Sequence, residues 1–235
     1  MARKGKQSKG NTTNKFRHLI AQVNPKSPIS EQYRTVRTNI QFSSVDNEIR
    51  SLLISSSGPA EGKSTTVANL AVVYAQAGKK VLLIDADLRK PTVHYTFRLD
   101  NLRGLSNILV GEHTIDETVN RTNIENLDVI SCGPIPPNPS ELLASRKMES
   151  FLKEAQQTYD IVIFDTPPVL AVTDAQILAN IVDGSILVVR SKHTDLEAAK
   201  KAKEALEPAK AKLLGTVLNG REKSASNYYY YYGTN

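Results

Sequence analysis

The stretch "SLLISSSGPAEGKSTTVANLAVVYAQAG", residues 51–78, sets a run of strand-forming apolar residues directly before a loop holding Gly58, Gly62, Lys63 and Ser64. Glycines at such a turn let backbone N–H groups point inward around an anion. The helix that follows adds its positive end, and a lysine ammonium supplies mobile charge. Against the pattern G-x-x-x-x-G-K-[ST], Gly62, Lys63 and Ser64 match, Ser57 stands where the first glycine is expected, and Gly58 follows one place later. The segment Gly58, Pro59, Ala60, Glu61, Gly62, Lys63, Ser64 and Thr65 is therefore expected to cradle the phosphates of a nucleotide, with the Ser64 hydroxyl turned to Mg²⁺.

Two further stretches place carboxylates at strand ends. "VLLIDADLRKP" ends a strand at Asp85 and Asp87, and "IVIFDTPP" ends another at Asp165. Three carboxylates at one edge of a parallel sheet repel one another unless a cation sits among them. Mg²⁺ with bound triphosphate suits that role, since it favours one or two carboxylates together with phosphate oxygens and waters. The expected metal set is Ser64, Asp85, Asp87 and Asp165. Arg89, four residues after Asp85, is read either as a phosphate contact or as the partner of a nearby carboxylate, and Asp174 in "VTDAQILANI" as a helix N-cap.

The elements that position these groups follow from periodicity. Apolar runs at 51–57, 80–87, 127–132, 160–165, 185–190 and 212–219 read as strands, and helical patterns lie at about 63–77, 140–157, 174–182 and 195–207. An earlier helix over 27–42 takes Ser30 as N-cap, and Ser140 is expected to cap the helix after the Pro-rich entry at 134–139, with Leu142, Leu143, Phe151 and Leu152 facing inward. Nearly continuous Val, Ile and Leu suit strands buried on both faces. Their alternation with helices predicts an α/β fold, a mostly parallel sheet flanked by helices on both faces, with ligands at the carboxyl ends of the strands.

Composition narrows the function further. The formal charge is +6, yet residues 1–18 hold Arg3, Lys4, Lys6, Lys9, Lys15 and Arg17 and no acid; without those six, 24 basic residues face 24 acidic ones. The expected organisation is a basic flexible arm at 1–27, a domain at 28–219 and a flexible tail at 220–235. A neutral body argues against nucleic acid as the primary ligand. The arm is read as solvated or drawn to an anionic membrane face. One cysteine excludes an intrachain disulfide, and the four histidines lack zinc-ligand spacing. With no apolar run near 18 residues and no apolar segment behind the basic start, the expected location is the cytoplasm.

"SSSGPAEGKSTT", "VLLIDADLRKP" and "IVIFDTPPVLAVTDA" in this order resemble the Walker A, A′ and B motifs of the bacterial tyrosine kinases of capsule and exopolysaccharide synthesis. "EQYRTVRTNI" and "GPIPPNPSELL" resemble the same family, so the likeness runs from about residue 28 to the end. Partitioning and cell-division-site ATPases share the fold and the Asp85/Asp165 pattern, but their loops carry a signature lysine where this chain has Gly58. The resemblance implies a P-loop NTPase-like fold and transfer of phosphate from ATP, with Mg²⁺, to protein tyrosine. Lys63 would hold the β/γ-phosphates, Ser64 and Asp165 the metal, and Asp85, as a Mg²⁺-linked base, or its competitor Asp87 would take the acceptor's proton, Asp85 being the favoured one. Asn219, ending "GTVLN", would meet the adenine edge. Aspartate near pKa 3.9 and tyrosine near 10 differ by about six units, or about 8 kcal/mol, so the carboxylate orients the hydroxyl and accepts its proton late.

The resemblance also implies partners. Glu31, Arg34 and Arg37, at three-residue steps on the first long helix, would serve ring-like homo-oligomerisation, the alternative being an intrahelical ion pair. A separate membrane adaptor would recruit the chain to the inner face of the plasma membrane through a cytoplasmic tail that completes the nucleotide site. Substrates would include enzymes of polysaccharide synthesis. The chain's own end, "NYYYYYGTN", offers Tyr228, Tyr229, Tyr230, Tyr231 and Tyr232 as phosphoacceptors. Nine residues from Asn219 to Tyr228 extend at most roughly 30 Å, enough to reach a neighbouring subunit. The alternative readings are an ATP-driven assembly switch of the partitioning type and an assembly module for export machinery.

Overall fold

A computed structural model describes residues 19–43 and 48–222. The tyrosine cluster Tyr228–Tyr232 and the six basic residues of the arm lie outside the described residues. In chain order the elements are α1 (Ile20–Val23), α2 (Pro28–Phe42), β1 (Ser51–Ser56), α3 (Lys63–Ala75), β2 (Val81–Asp85), α4 (Val93–Phe97), α5 (Leu105–Val110), α6 (Ile115–Thr118), β3 (Asn120–Arg121) and β4 (Leu127–Ile130). After these come α7 (Pro139–Leu143), α8 (Arg146–Thr158), β5 (Ile161–Asp165), α9 (Asp174–Leu178), β6 (Gly184–Arg190), α10 (Leu196–Leu206) and β7 (Lys212–Asn219).

The strands lie in the order β3-β4-β2-β5-β1-β6-β7, all parallel except the short β3 against β4. Every residue of β1, β2 and β5 is buried, as their unbroken apolar runs predict. The period of two sends alternate residues to two cores. Leu53, Leu82, Ile84, Val162 and Phe164 join one with Phe151, Leu152, Leu178 and Leu206 from α8, α9 and α10. Leu52, Ile54, Leu83, Ile161 and Ile163 join the other, beneath α3, with Ile40 of α2. Helix α3 is buried nearly all round because the sheet covers one side and α1 and α2 the other.

Several expected boundaries move. Residues 19–27, assigned to the arm, dock on the domain: Ala21 is wholly buried, its N–H donates to Asn69 Oδ1 at 2.9 Å, and Gln76 Nε2 donates to its carbonyl. Ser27, not Ser30, caps α2, because its Oγ accepts the Ser30 N–H while the Ser30 hydroxyl turns back to the Asn24 carbonyl. The helix expected over 140–157 is two, α7 and α8, and Ser145 caps the second by accepting from Met148 N–H. Met148, Phe151, Leu152 and Ala155 form the apolar stripe of α8, and Leu143 of α7 is buried as expected, with Leu142 packed partly buried beside it.

A chain begun at Leu19 is expected to keep full stability. One begun at Ser27 should lose about 2–4 kcal/mol in urea unfolding, from the lost burial of Leu19 and Ala21 and the lost hydrogen bonds of Ala21 to Asn69 and Gln76.

Candidate nucleotide site

The loop between β1 and α3 is built as a cradle. Gly62 caps α3 with φ +89°, a conformation that favours glycine, and a Cβ there would stand 1.9 Å from Nδ2 of Asn219. Ala60 also has positive φ, and Pro59 and Ala60 are exposed at the loop's outer turn. Gly58 is half-buried, as is Thr65, whose carbonyl accepts from Asn69 Nδ2. Behind Gly62 the first N–H groups of a 13-residue helix point at the space a phosphate would fill.

Contacts from the far end of the chain hold this loop. Glu61 is buried, and its carboxylate accepts the Ser57 N–H at 2.8 Å and the Thr194 hydroxyl at 2.6 Å. Its side chain shapes the loop from within. Arg190 Nη1 donates to the Ala60 carbonyl at 3.0 Å, and Asn219 Nδ2 to the Glu61 carbonyl at 2.9 Å. Asn219 is thus bound to the loop backbone, with its Oδ1 accepting the Gly220 N–H. Arg190 and Thr194 carry no motif; their only sequence signal is their place at the carboxyl end of a buried strand.

Lys63, Ser64 and Asp165 meet at the base of the loop. Lys63 Nζ lies 2.5 Å from Asp165 Oδ1 and 3.2 Å from Ser64 Oγ, with both charged side chains almost wholly buried. Asp85 and Asp165 are register partners on the adjacent strands β2 and β5. Desolvation and the neighbouring Asp165 charge push the Asp85 carboxyl up to about 7, against the opposing pull of the Val93 N–H, Lys63 and the Thr92 N–H. Each of those two N–H groups donates to Asp85 Oδ2 at 2.9 Å.

Asp87 serves its own turn: its Oδ1 accepts the N–H groups of Arg89 and Lys90 at 3.3 and 3.0 Å. The three carboxylates expected around one cation do not form a three-acid cage among the described residues. Asp87 folds back on the chain after it, leaving Asp85 and Asp165 as the facing pair. The one ammonium, paired with Asp165, cannot neutralise both acids when both are ionised, and Asp165 Oδ2 is buried with no hydrogen-bond partner among the described residues. That orphaned oxygen, with Ser64 Oγ beside Lys63, fits Mg²⁺ held by few protein ligands plus phosphate and water.

Arg89 takes the carboxylate-partner reading. Its Nε and Nη2 donate to the two oxygens of Asp174 at 2.9 and 3.0 Å, and Nη2 also reaches Ser140 Oγ at 2.8 Å. Asp174 is the first residue of α9 and caps nothing; Thr173 holds the N-cap position. Ser140 likewise bonds Asp174 at 2.8 Å instead of capping a helix. On α2, Glu31 and the Arg34 Nη1 pair at 2.5 Å on the surface, whereas Arg37 turns inward and donates to the Val73 carbonyl at 2.7 Å. The structure therefore separates Arg37 from the surface pair.

Residues 53–213 match the family described as an AAA domain. Tyrosine-protein kinase YwqD of Bacillus subtilis is 58% identical over 218 residues, covering 93% of this chain and 92% of that protein. The kinase domain of the Escherichia coli tyrosine kinase ETK superposes with a TM-score of 0.84 at 38% identity, over 89% of this chain and 82% of that one. The septum site-determining protein MinD of Pyrococcus horikoshii, solved with Mg-ADP, gives a TM-score of 0.63 at 26% identity, over 74% of this chain and 72% of its own. The chain belongs to the bacterial tyrosine-protein kinases, ATP- and Mg²⁺-dependent enzymes on a P-loop AAA-type fold.

Proposed function

We propose that the protein phosphorylates the tyrosine cluster Tyr228–Tyr232 of its own kind, together with enzymes of capsular or exopolysaccharide synthesis, and so controls that synthesis. The observation that carries the reading is the buried Lys63–Asp165–Asp85 group beside the loop, with Asp165 Oδ2 left unsatisfied. Bound Mg²⁺ would neutralise charge developing on the transferred phosphoryl group. Lys63 would hold the β/γ-phosphates of bound nucleotide, and Asp165 and Ser64, its present partners, would hold the metal. Asp85, wholly buried and tied to the Thr92 and Val93 amides, faces Asp165 and belongs with the metal. Asp87, nearly buried two residues beyond Asp85, orients the acceptor hydroxyl and takes its proton late.

The regulatory elements follow from the family resemblance. A membrane adaptor's cytoplasmic tail recruits the chain to the inner face of the plasma membrane and completes the nucleotide site. Among the described residues no helix is long and apolar enough to cross a membrane, which fits recruitment by a partner. A ring of copies forms through the exposed Glu31 and the half-buried Arg34. Each phosphate adds about −1.5 to −2 charge, so a phosphorylated cluster turns strongly anionic and pushes copies apart. The likeness to MinD favours one rival reading, an ATP-driven assembly switch in which hydrolysis only resets the state.

Incubation with ATP·Mg²⁺ and the adaptor tail, followed by mass spectrometry, is expected to find phosphotyrosine within 228–232; hydrolysis with none would favour the switch. Asp87→Asn should slow transfer by about 10²- to 10⁴-fold while Mg·ADP still binds, and unchanged turnover would remove Asp87 from its role. A chain ended at Asn227 should lose most of its phosphotyrosine, and full stoichiometry would overturn the acceptor assignment. In size-exclusion chromatography, joint replacement of Glu31 and Arg34 by Ala should dissolve the oligomer.

A further inference from the structure

The segment between β2 and α4 carries Asp85 and Asp87 and is fixed mostly by its own acids. Asp85 accepts the N–H groups of Asp87, Thr92 and Val93, and Asp87 accepts those of Arg89 and Lys90. These contacts shape the turn but do not say where it stands relative to the rest of the site. Backbone contact to β5 stops at Ala86, whose N–H donates to the Asp165 carbonyl at 2.8 Å. Past that point Leu88 is buried in the core, the Thr92 hydroxyl lies 3.4 Å from Ser64 Oγ, and the Arg89 side chain ties the exposed part of the turn outward.

That anchor joins three loops. Arg89 follows β2, Asp174 begins α9 after the loop that leaves β5 at Asp165, and Ser140 sits in α7 after β4. Ser140 accepts from Arg89 Nη2 and donates its hydroxyl to Asp174 Oδ1, while Asp174 takes Arg89 on both oxygens, so the three side chains close a ring of charge-assisted bonds. Asp174 is wholly buried, and Arg89 is 36% exposed. The planar guanidinium fork fixes direction as well as distance, which an ammonium could not. Arg89 is spent in this ring through Nε and Nη2, which places it as a structural strut and not as the group that meets phosphate.

We propose that Asp174, acting through Arg89 and backed by Ser140, is a positioning residue that sets the Asp87 turn against β5 and the metal-facing Asp165. The inference rests on Asp87 as the group that orients the acceptor hydroxyl. A misplacement of about 1 Å costs up to about 100-fold in rate, so the strut governs turnover while leaving the phosphate loop intact.

Two variants test it on the full chain. Arg89→Met removes the partly exposed partner, and Arg89→Met with Asp174→Leu replaces the pair by apolar groups, a change that in buried pairs is commonly neutral for stability. In both, the Kd for Mg·ADP is expected to stay within about threefold and the transfer rate at saturating ATP to fall between about tenfold and about 100-fold. Hydrogen exchange is expected to speed up about tenfold or more at the Arg89 and Lys90 amides, with the Thr92 and Val93 amides unchanged. A purely structural role predicts the contrary for the double variant: thermal midpoint and turnover restored together. That result, or unchanged exchange at Arg89 and Lys90, would overturn the proposal. Loosened exchange with unchanged transfer would keep the strut and instead refute Asp87 as the acceptor's partner.

Discussion

Two carboxylates in register on neighbouring parallel strands, wholly buried, with one ammonium paired to Asp165, are the constraint around which this molecule is arranged. Coulomb repulsion between buried charges is severe where the dielectric is low, and it is met here in two ways. Backbone N–H groups at Thr92 and Val93 and the Lys63 ammonium lower the cost of charging Asp85, although desolvation and Asp165 still prevail. The remaining excess negative charge is a standing attraction for a cation. A parallel sheet supplies this arrangement cheaply, because strands that all point one way end together, and the loops that leave them carry their polar groups to one edge.

Much of this was legible in the sequence for a physical reason. A strand buried on both faces has to be apolar at every position, so "VLLID" and "IVIFD" announce both the strand and the point where it stops being buried in hydrocarbon. The phosphate loop is legible because glycine, lysine and serine each do something there that other residues cannot. The kinase assignment followed from those stretches and agrees with the relatives found.

What was not legible depends on contacts between distant residues of ordinary type. Nothing in "LIAQV" says that Asn69 waits to receive it. Ser27 and Ser30 are equally good caps on composition, and only the return of the chain through Asn24 decides between them. Asp174 and Ser140 each sit where a helix begins, so a cap is the natural local reading; Arg89, 85 residues from one and 51 from the other, claims both. Glu61 looked like a loop residue facing the ligand until Thr194, 133 residues on, turned it inward.

The contact of Asn219 with the Glu61 carbonyl spans 158 residues and joins the last strand to the first loop. During synthesis the phosphate loop leaves the ribosome early, yet the side chains that brace it belong to β6 and to β7, the last of the strands to emerge. Until β7 is made the loop lacks the Asn219 brace. Contacts of such high sequence separation form late in folding and couple the site to completion of the whole domain. A ribosome-bound fragment that ends before β7 therefore carries the kinase's most recognisable motif without the Asn219 contact that braces it.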